Sequence, residues 1–331
     1  MGLGKEGQKS KVKSAFGQSA AAVRVIFLGT PAFAVPTLEK IIDAGHSVIM
    51  VISQPDRPKG RSQALAVSPV KEAALRQGLP VFQPERIRRP EVVAQLAELA
   101  AEVMVVVGYG QIIPQSIIDL PRYGILNVHG SLLPKYRGAA PIQWAIANGE
   151  TITGVTTMRI DAGLDTGDML LRAETAIGLA ENAIELGSRL AVMGADLLVE
   201  TLARIETLVP QKQDGSQATY APILKKEDGW IDWRLPAAAI HNRVRGLLPW
   251  PGAYTRFRGQ TLHIWKSQVN AAAAGPPGRV QRIGKSLQVV CGEGSALELL
   301  ELQLEGKKRI GGEAFANGQR LQENESFGDL S

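Results

Sequence analysis

From Val23 onward the chain alternates two kinds of pattern. Short, mostly apolar runs at residues 23–28, 47–52 and 103–107 are too brief for helices. They are also too uniformly apolar for strands with one wet face, which predicts strands buried on both sides. Between the first two runs, Gly29-Thr30-Pro31 turns the chain, and residues 36–42 read as a short helix opened by Pro36 and ended by Gly45. A strand, a crossover helix and a second strand make a parallel unit. Its recurrence through Pro80-Val81-Phe82 and on to Val107 predicts an α/β domain on a doubly wound, mostly parallel sheet.

The pattern changes near Leu208, after a helical stretch over residues 185–208. Residues 209–222 carry Pro, Gln, Gly and Ser without apolar periodicity and read as a linker. Beyond lie Trp230-Ile231-Asp232-Trp233, a predicted helix over 236–246 and a turn at Pro249-Trp250-Pro251-Gly252. Short strands then follow at 253–257, 261–265, 278–283, 286–291 and 296–302. Strands of this length and spacing predict a small C-terminal β-barrel of the oligonucleotide-binding (OB) type. Residues 1–22, with Lys5, Lys9, Lys11 and Lys13 against Glu6, read as a disordered basic tail. The expected division is a tail (1–22), an α/β domain (23–208), a linker (209–225) and the small barrel (226–331).

Composition narrows the function classes. A chain of 331 residues suits two domains with real cores. One cysteine, Cys291, cannot form an internal disulfide, and no Cys/His cluster suggests structural zinc. No apolar run approaches the length of a membrane span, and Arg24 interrupts the only stretch that could serve a signal peptide. A cytoplasmic protein without a membrane partner is expected. Gly29-Thr30-Pro31 lacks the G-x-G-x-x-G spacing, which argues against a nicotinamide enzyme.

The chemistry is concentrated between residues 127 and 168. Residues 125–129 form a short strand-like run ending in Asn127-Val128-His129-Gly130-Ser131-Leu132-Leu133-Pro134. Side chains two apart on a strand share a face, so Asn127 and His129 project together at its carboxyl end, where open α/β sheets place their crevices. The amide donates one hydrogen bond to a developing oxyanion and a protonated imidazole another. A carboxylate on the later Gly163-Leu164-Asp165-Thr166-Gly167-Asp168 stretch would orient the imidazole. Asp165 is preferred to Asp161 and Asp168 because flanking glycines let the backbone approach a ligand.

These two strings, together with Val105-Val106-Val107-Gly108-Tyr109-Gly110-Gln111-Ile112-Ile113-Pro114, resemble the signature of the 10-formyltetrahydrofolate-dependent formyltransferases. The resemblance covers about nine tenths of the chain. It implies Asn127, His129 and Asp165 as the catalytic set. It also implies a pocket for the folate co-substrate lined by Val107, Gly108, Tyr109, Gln111, Ile112, Ser131, Leu132, Leu133 and Pro134, with no metal. Within the family, the similarity is greatest to members that formylate methionyl-initiator tRNA and act as monomers. In those members the long loop matching residues 54–69 enters the tRNA acceptor end. Arg57, Lys59 and Arg61 are the implied tRNA contacts, and Arg61 falls at the family's critical arginine.

Charge fits an RNA partner. The net +5 divides into +3 for residues 1–22, −2 for residues 23–207 and +4 for residues 208–331. Arg243, Arg245, Arg256, Arg258, Lys266, Arg279, Arg282, Lys307, Lys308 and Arg309 make the second domain a candidate phosphate-tracking surface. His46, His241 and His263 read as structural. The alternative is a formyltransferase acting on an amino-sugar nucleotide or another small amine. A small amine leaves the second domain unexplained, a sugar nucleotide gives no reason for the three cations of the loop, and a non-catalytic RNA binder leaves the catalytic trio unexplained.

Overall fold

The structure, a computed structural model, describes residues 22–59, 64–270, 274–322 and 325–328. The basic tail up to residue 21 and Arg61 lie outside the described residues.

The first half is a three-layer α/β domain. In chain order its elements are β1 (Arg24–Gly29), α1 (Val35–Asp43), β2 (Ser47–Ile52), β3 (Arg57–Lys59), β4 (Ala64–Ala66), α2 (Pro69–Arg76), β5 (Val81–Phe82) and α3 (Pro90–Glu98). Then come β6 (Val103–Val107), α4 (Gln115–Ile118), β7 (Ile125–His129), β8 (Arg137–Gly138), α5 (Pro141–Ala147), β9 (Ile152–Arg159), β10 (Met169–Ala176) and α6 (Ala183–Ala203). The main sheet runs β10-β9-β7-β6-β1-β2-β5. The five strands from β7 to β5 are parallel, and β9 and β10 add antiparallel at one edge. The mostly parallel sheet read from the apolar runs is therefore present.

Alternation along the strands divides the core. Val25 and Phe27 pack with Leu38 and Ile41 of α1 and Leu198 and Leu202 of α6. Ile26 and Leu28 pack with Val92 and Leu96 of α3 and Ile117 of α4. Residues of β7 obey the same rule, with Leu126 and Val128 on the α1/α6 side and Ile125 on the other. Asn127 and His129 keep the phase of Ile125. Helix α6 begins on a capping box in which the Asn182 carboxamide accepts from the Ile184 and Glu185 N–H groups and Glu185 accepts from the Asn182 N–H.

The second half is an antiparallel sheet with a helix at its entry and another near its end. It comprises β11 (Tyr220–Ala221), which belongs to the connection, then α7 (Ala237–Gly246), β12 (Ala253–Phe257), β13 (Gln260–Asn270), β14 (Val280–Ile283), β15 (Ser286–Val290), β16 (Ala296–Leu304), β17 (Ile310–Gly311) and α8 (Gly312–Gln319). The ladder runs β12-β13-β16-β15-β14, with β17 on β16. Residues 325–328 bridge its two ends: the Val280 N–H donates to the Glu325 carbonyl, the Phe327 N–H to Gly278, and the Gly328 N–H to Arg256. Phe327 then buries its ring against Phe257, Phe315 and Trp233. This closure of an antiparallel sheet around an apolar centre is consistent with the expected OB-type barrel.

The two halves meet at α5 and α7. Arg245, only 9% exposed, donates to the carbonyls of Gly178 and Glu181 across that boundary and is steadied by the Asn242 carboxamide. That corrects its place among the candidate phosphate contacts, because its guanidinium is spent inside the protein. Arg258 pairs with Glu325, and Arg309 stacks over Trp265 at 3.9 Å. No described helix is long and apolar enough to cross a membrane.

Candidate active site

Three chain segments converge at the carboxyl ends of β6 and β7. Register places Val106 of β6 beside Asn127, with Met158 of β9 on its other side, and Thr156 of β9 beside His129. Asn127 and His129 are both buried. The turn after β7 is fastened by Thr156, whose hydroxyl donates to the Ser131 carbonyl at 2.7 Å and accepts from the Leu133 N–H. Ser131 donates its own hydroxyl to the Lys135 carbonyl.

The loop between β9 and β10 brings Asp165 to the same place. Gly167 lies so close to the Arg159 carbonyl that a Cβ would collide with it. Asp161 is occupied locally, accepting from the Gly163 N–H and the Thr166 hydroxyl. Asp165 is the carboxylate that reaches the histidine: its Oδ2 lies 3.7 Å from His129 Nδ1 and accepts from the Gly138 N–H at 2.8 Å. The other ring nitrogen, Nε2, lies 2.9 Å from the Tyr136 carbonyl. A carbonyl can only accept, so Nε2 carries hydrogen. At 3.7 Å the Nδ1–carboxylate contact is longer than a hydrogen bond, and Nδ1 is therefore the nitrogen available to a third group.

The remaining sequence candidates divide by where their side chains go. Tyr109 is buried among Ile26, Leu28 and Ile117, burial pushing its phenol up to about 12. Its carbonyl accepts from Thr30 and Gln54. Gln111 accepts from the Ile87 N–H and donates toward Pro84, so it braces a neighbouring loop. Val107, Ser131 and Leu133 are likewise buried. Gly108 and Ile112 are exposed, and Leu132 and Pro134 are half-buried. Leu132 lines a cavity of about 420 Å³ with Met169, Arg172 and Gln211. Arg57 is exposed on the β3–β4 hairpin, where it pairs with Ala66. The hairpin's base is set by Asp56, bound by Lys71 and Gln83. Lys59 contributes its backbone to the same hairpin. Among the described residues no group of three or more His, Cys, Asp or Glu side chains could hold a metal ion.

Two residues at the site carry no signal in the sequence. Gln213, in the segment expected to be a bare linker, hydrogen-bonds the carbonyls of Asp165 and Gly167, and Thr219 binds the N–H of Tyr136. Neither belongs to a periodic pattern or a motif, and only the fold-back of their segment shows what they do.

An amide, an imidazole and a carboxylate stand at the end of a parallel strand, a set suited to carbonyl-group transfer, and comparison with known proteins shows the family. Residues 23–202 match the formyl transferase family and residues 223–320 match its C-terminal domain; the chain belongs to that family. Methionyl-tRNA formyltransferase of Solibacter usitatus (strain Ellin6076) is 68% identical over 93% of this chain and 99% of its own. The enzyme of the same name from Koribacter versatilis (strain Ellin345) is 56% identical over the same shares. An N-formyltransferase from Helicobacter canadensis, solved with folinic acid and dTDP-3-aminofucose, shares the fold at a TM-score of 0.63 and 19% identity, covering 84% of this chain and 98% of that one.

Proposed function

We propose that this chain transfers the formyl group of 10-formyltetrahydrofolate to the amino group of methionyl-initiator tRNA, as a cytoplasmic monomer serving the start of translation. Near full-length identity of 68% to an enzyme of that name carries the choice of substrate. The pairing of His129 with Asp165 at 3.7 Å beside Asn127 carries the chemistry.

The folate supplies the activated formyl group. Residues fit to hold it follow the carboxyl ends of β6 and β7. Gly108 has φ +59 and a Cβ there would strike Pro31, so its backbone stays bare at the mouth of the site. Ile112, 91% exposed, and the half-buried Leu132 and Pro134 offer apolar surface to a flat ring.

As the amine adds to the formyl carbon, the carbonyl oxygen gains charge. The Asn127 amide and His129 Nδ1–H donate to it. His129 is held for this by its Nε2–H on the Tyr136 carbonyl. Asp165, fixed by the Gly138 N–H, faces that side of the ring and accepts the amine's proton as the new C–N bond forms. That proton is returned to the departing folate nitrogen as the old C–N bond breaks. Arg57 and Lys59 lie on the β3–β4 hairpin, and with Arg61 they are the cations of the 54–69 segment that would meet the acceptor end, where cations engage phosphate or stack on a splayed base.

The test is an assay with 10-formyltetrahydrofolate that offers charged initiator tRNA, glycinamide ribonucleotide and an amino-sugar nucleotide in parallel. Transfer to methionyl-tRNA is expected. Transfer to a small amine alone overturns the RNA reading of the loop and second domain while leaving the catalytic trio.

A further inference from the structure

The connection between the two halves does not run free. Gln211 pairs with Met169 through two backbone hydrogen bonds of 2.8 Å, and β11 lies parallel to β8. Between these anchor points the Gln213 side chain makes four hydrogen bonds. Its Oε1 accepts from Nε and Nη2 of Arg137 at 3.0 and 2.8 Å, and its Nε2 donates to the carbonyls of Asp165 and Gly167 at 2.8 and 2.7 Å. Further along, the Thr219 hydroxyl accepts the Tyr136 N–H at 2.8 Å and the Thr219 carbonyl accepts the Arg137 N–H.

We propose that Gln213 is a positioning residue for the His129–Asp165 pair, and that Thr219 plays the same part for the carbonyl on which His129 rests. The inference rests on the formyl-transfer reading above. Asp165 and Tyr136, the two partners of the histidine, both have backbone in the left-handed region, at φ +50 and +61. Residues with a Cβ occupy that region only where their surroundings over-determine it. The connection supplies that determination at both places. The amide is the group the position requires. The two loop carbonyls need a donor, whereas the Arg137 guanidinium, 7% exposed, needs an acceptor. A carboxylate would serve Arg137 and repel the carbonyls, and an ammonium would do the reverse. Gln213 thus ties the Asp165 loop to the strand that follows Tyr136, setting the separation of carboxylate and imidazole from outside the pocket.

Gln213→Glu separates positioning from folding, because it keeps the acceptor for Arg137 and removes both donors. With the wild-type enzyme first shown to formylate methionyl-tRNA, Gln213→Glu is expected to lower kcat about tenfold or more while KM for each substrate stays within about twofold. In an Asp165→Asn background the same change is expected to add little, since both act through one carboxylate. The ligand-free protein gives a second readout. The chain has four histidines; the ring ¹⁵N signals of His129 are expected to move in Gln213→Glu while those of His46, His241 and His263 stay. A Gln213→Glu enzyme with near wild-type kcat, a loss repeated in full without Asp165, or unmoved His129 signals would each overturn the proposal. A wild-type chain that formylates no amine overturns the functional reading instead, and the His129 signals then decide the positioning role by themselves.

Discussion

His129 rests Nε2 on the carbonyl of Tyr136 at 2.9 Å and leaves Nδ1 at 3.7 Å from Asp165. One nitrogen anchors the ring and the other is left open to a third group. The anchor is a main-chain atom, so it cannot be lost by substituting Tyr136. The second nitrogen faces a carboxylate that is too far to occupy it with a hydrogen bond.

Removing the ring should therefore stop chemistry without emptying the site. His129→Ala is expected to lower kcat by roughly 10²–10⁴, the usual worth of a positioned proton donor, with folate affinity little changed. Asn127→Ala, which removes one oxyanion donor, should cost on the order of 10²–10³ in kcat. Single-turnover formylation alongside equilibrium folate binding checks both, and a His129→Ala enzyme of near-normal turnover refutes the assignment.

The cations of the 54–69 segment should act on the other substrate. Arg57→Ala and Arg61→Ala are expected to raise KM for methionyl-tRNA and flatten its salt dependence, with folate binding unaffected. Equal losses against a small-amine acceptor would show that these residues serve the fold.

Stability should fall in acid. Burial holds His46 below the ordinary histidine value of 6.5, and its Nδ1 accepts the Val23 N–H at 3.3 Å. Burial also depresses His241 and His263. The unfolded chain takes these protons near 6.5 and the folded chain only at lower pH. The stability they contribute is present above 6.5 and is lost as pH drops through the folded values. Thermal melts should show Tm falling below pH 6.5, less steeply in His46→Gln. A flat Tm across that range would contradict the assignment.

Phe327 fastens the segment that closes the second domain. It is 1% exposed and meets Phe257 at 5.4 Å between ring centroids. Phe327→Ala is expected to cost about 3–5 kcal/mol, read in the full chain by denaturant unfolding. A cost under about 1 kcal/mol would mean that the closing contacts are dispensable.

How much of this the sequence displayed depended on where each signal lay. The buried strands were legible because residues such as 103–107 are apolar without a break, as only a doubly covered strand needs to be. Asn127 and His129 were legible because a period of two is local. Strands β9 and β10 were not, since Thr153, Thr156 and Thr157 are buried as polar residues, and Thr156 and Thr157 do so through hydrogen bonds to partners far along the chain. The short β17 and the α8 that follows it were missed for want of a long apolar run. Gln213 was illegible for the plainest reason, since its partners stand 46 to 76 positions away and nothing near it in sequence records them.

The folded-back connection also bears on how the protein can be cut and recombined. A division at Leu208, where the helical pattern stops, would leave the Asp165 and Tyr136 loops without Gln213 and Thr219. The seam that respects the chemistry lies past Ala221, whose carbonyl accepts the Ala140 N–H and whose strand completes the pairing with β8. A chimera joined at the earlier point would inherit Asn127, His129 and Asp165 and lose the scaffolding around them; one joined at the later point would keep that scaffolding whole.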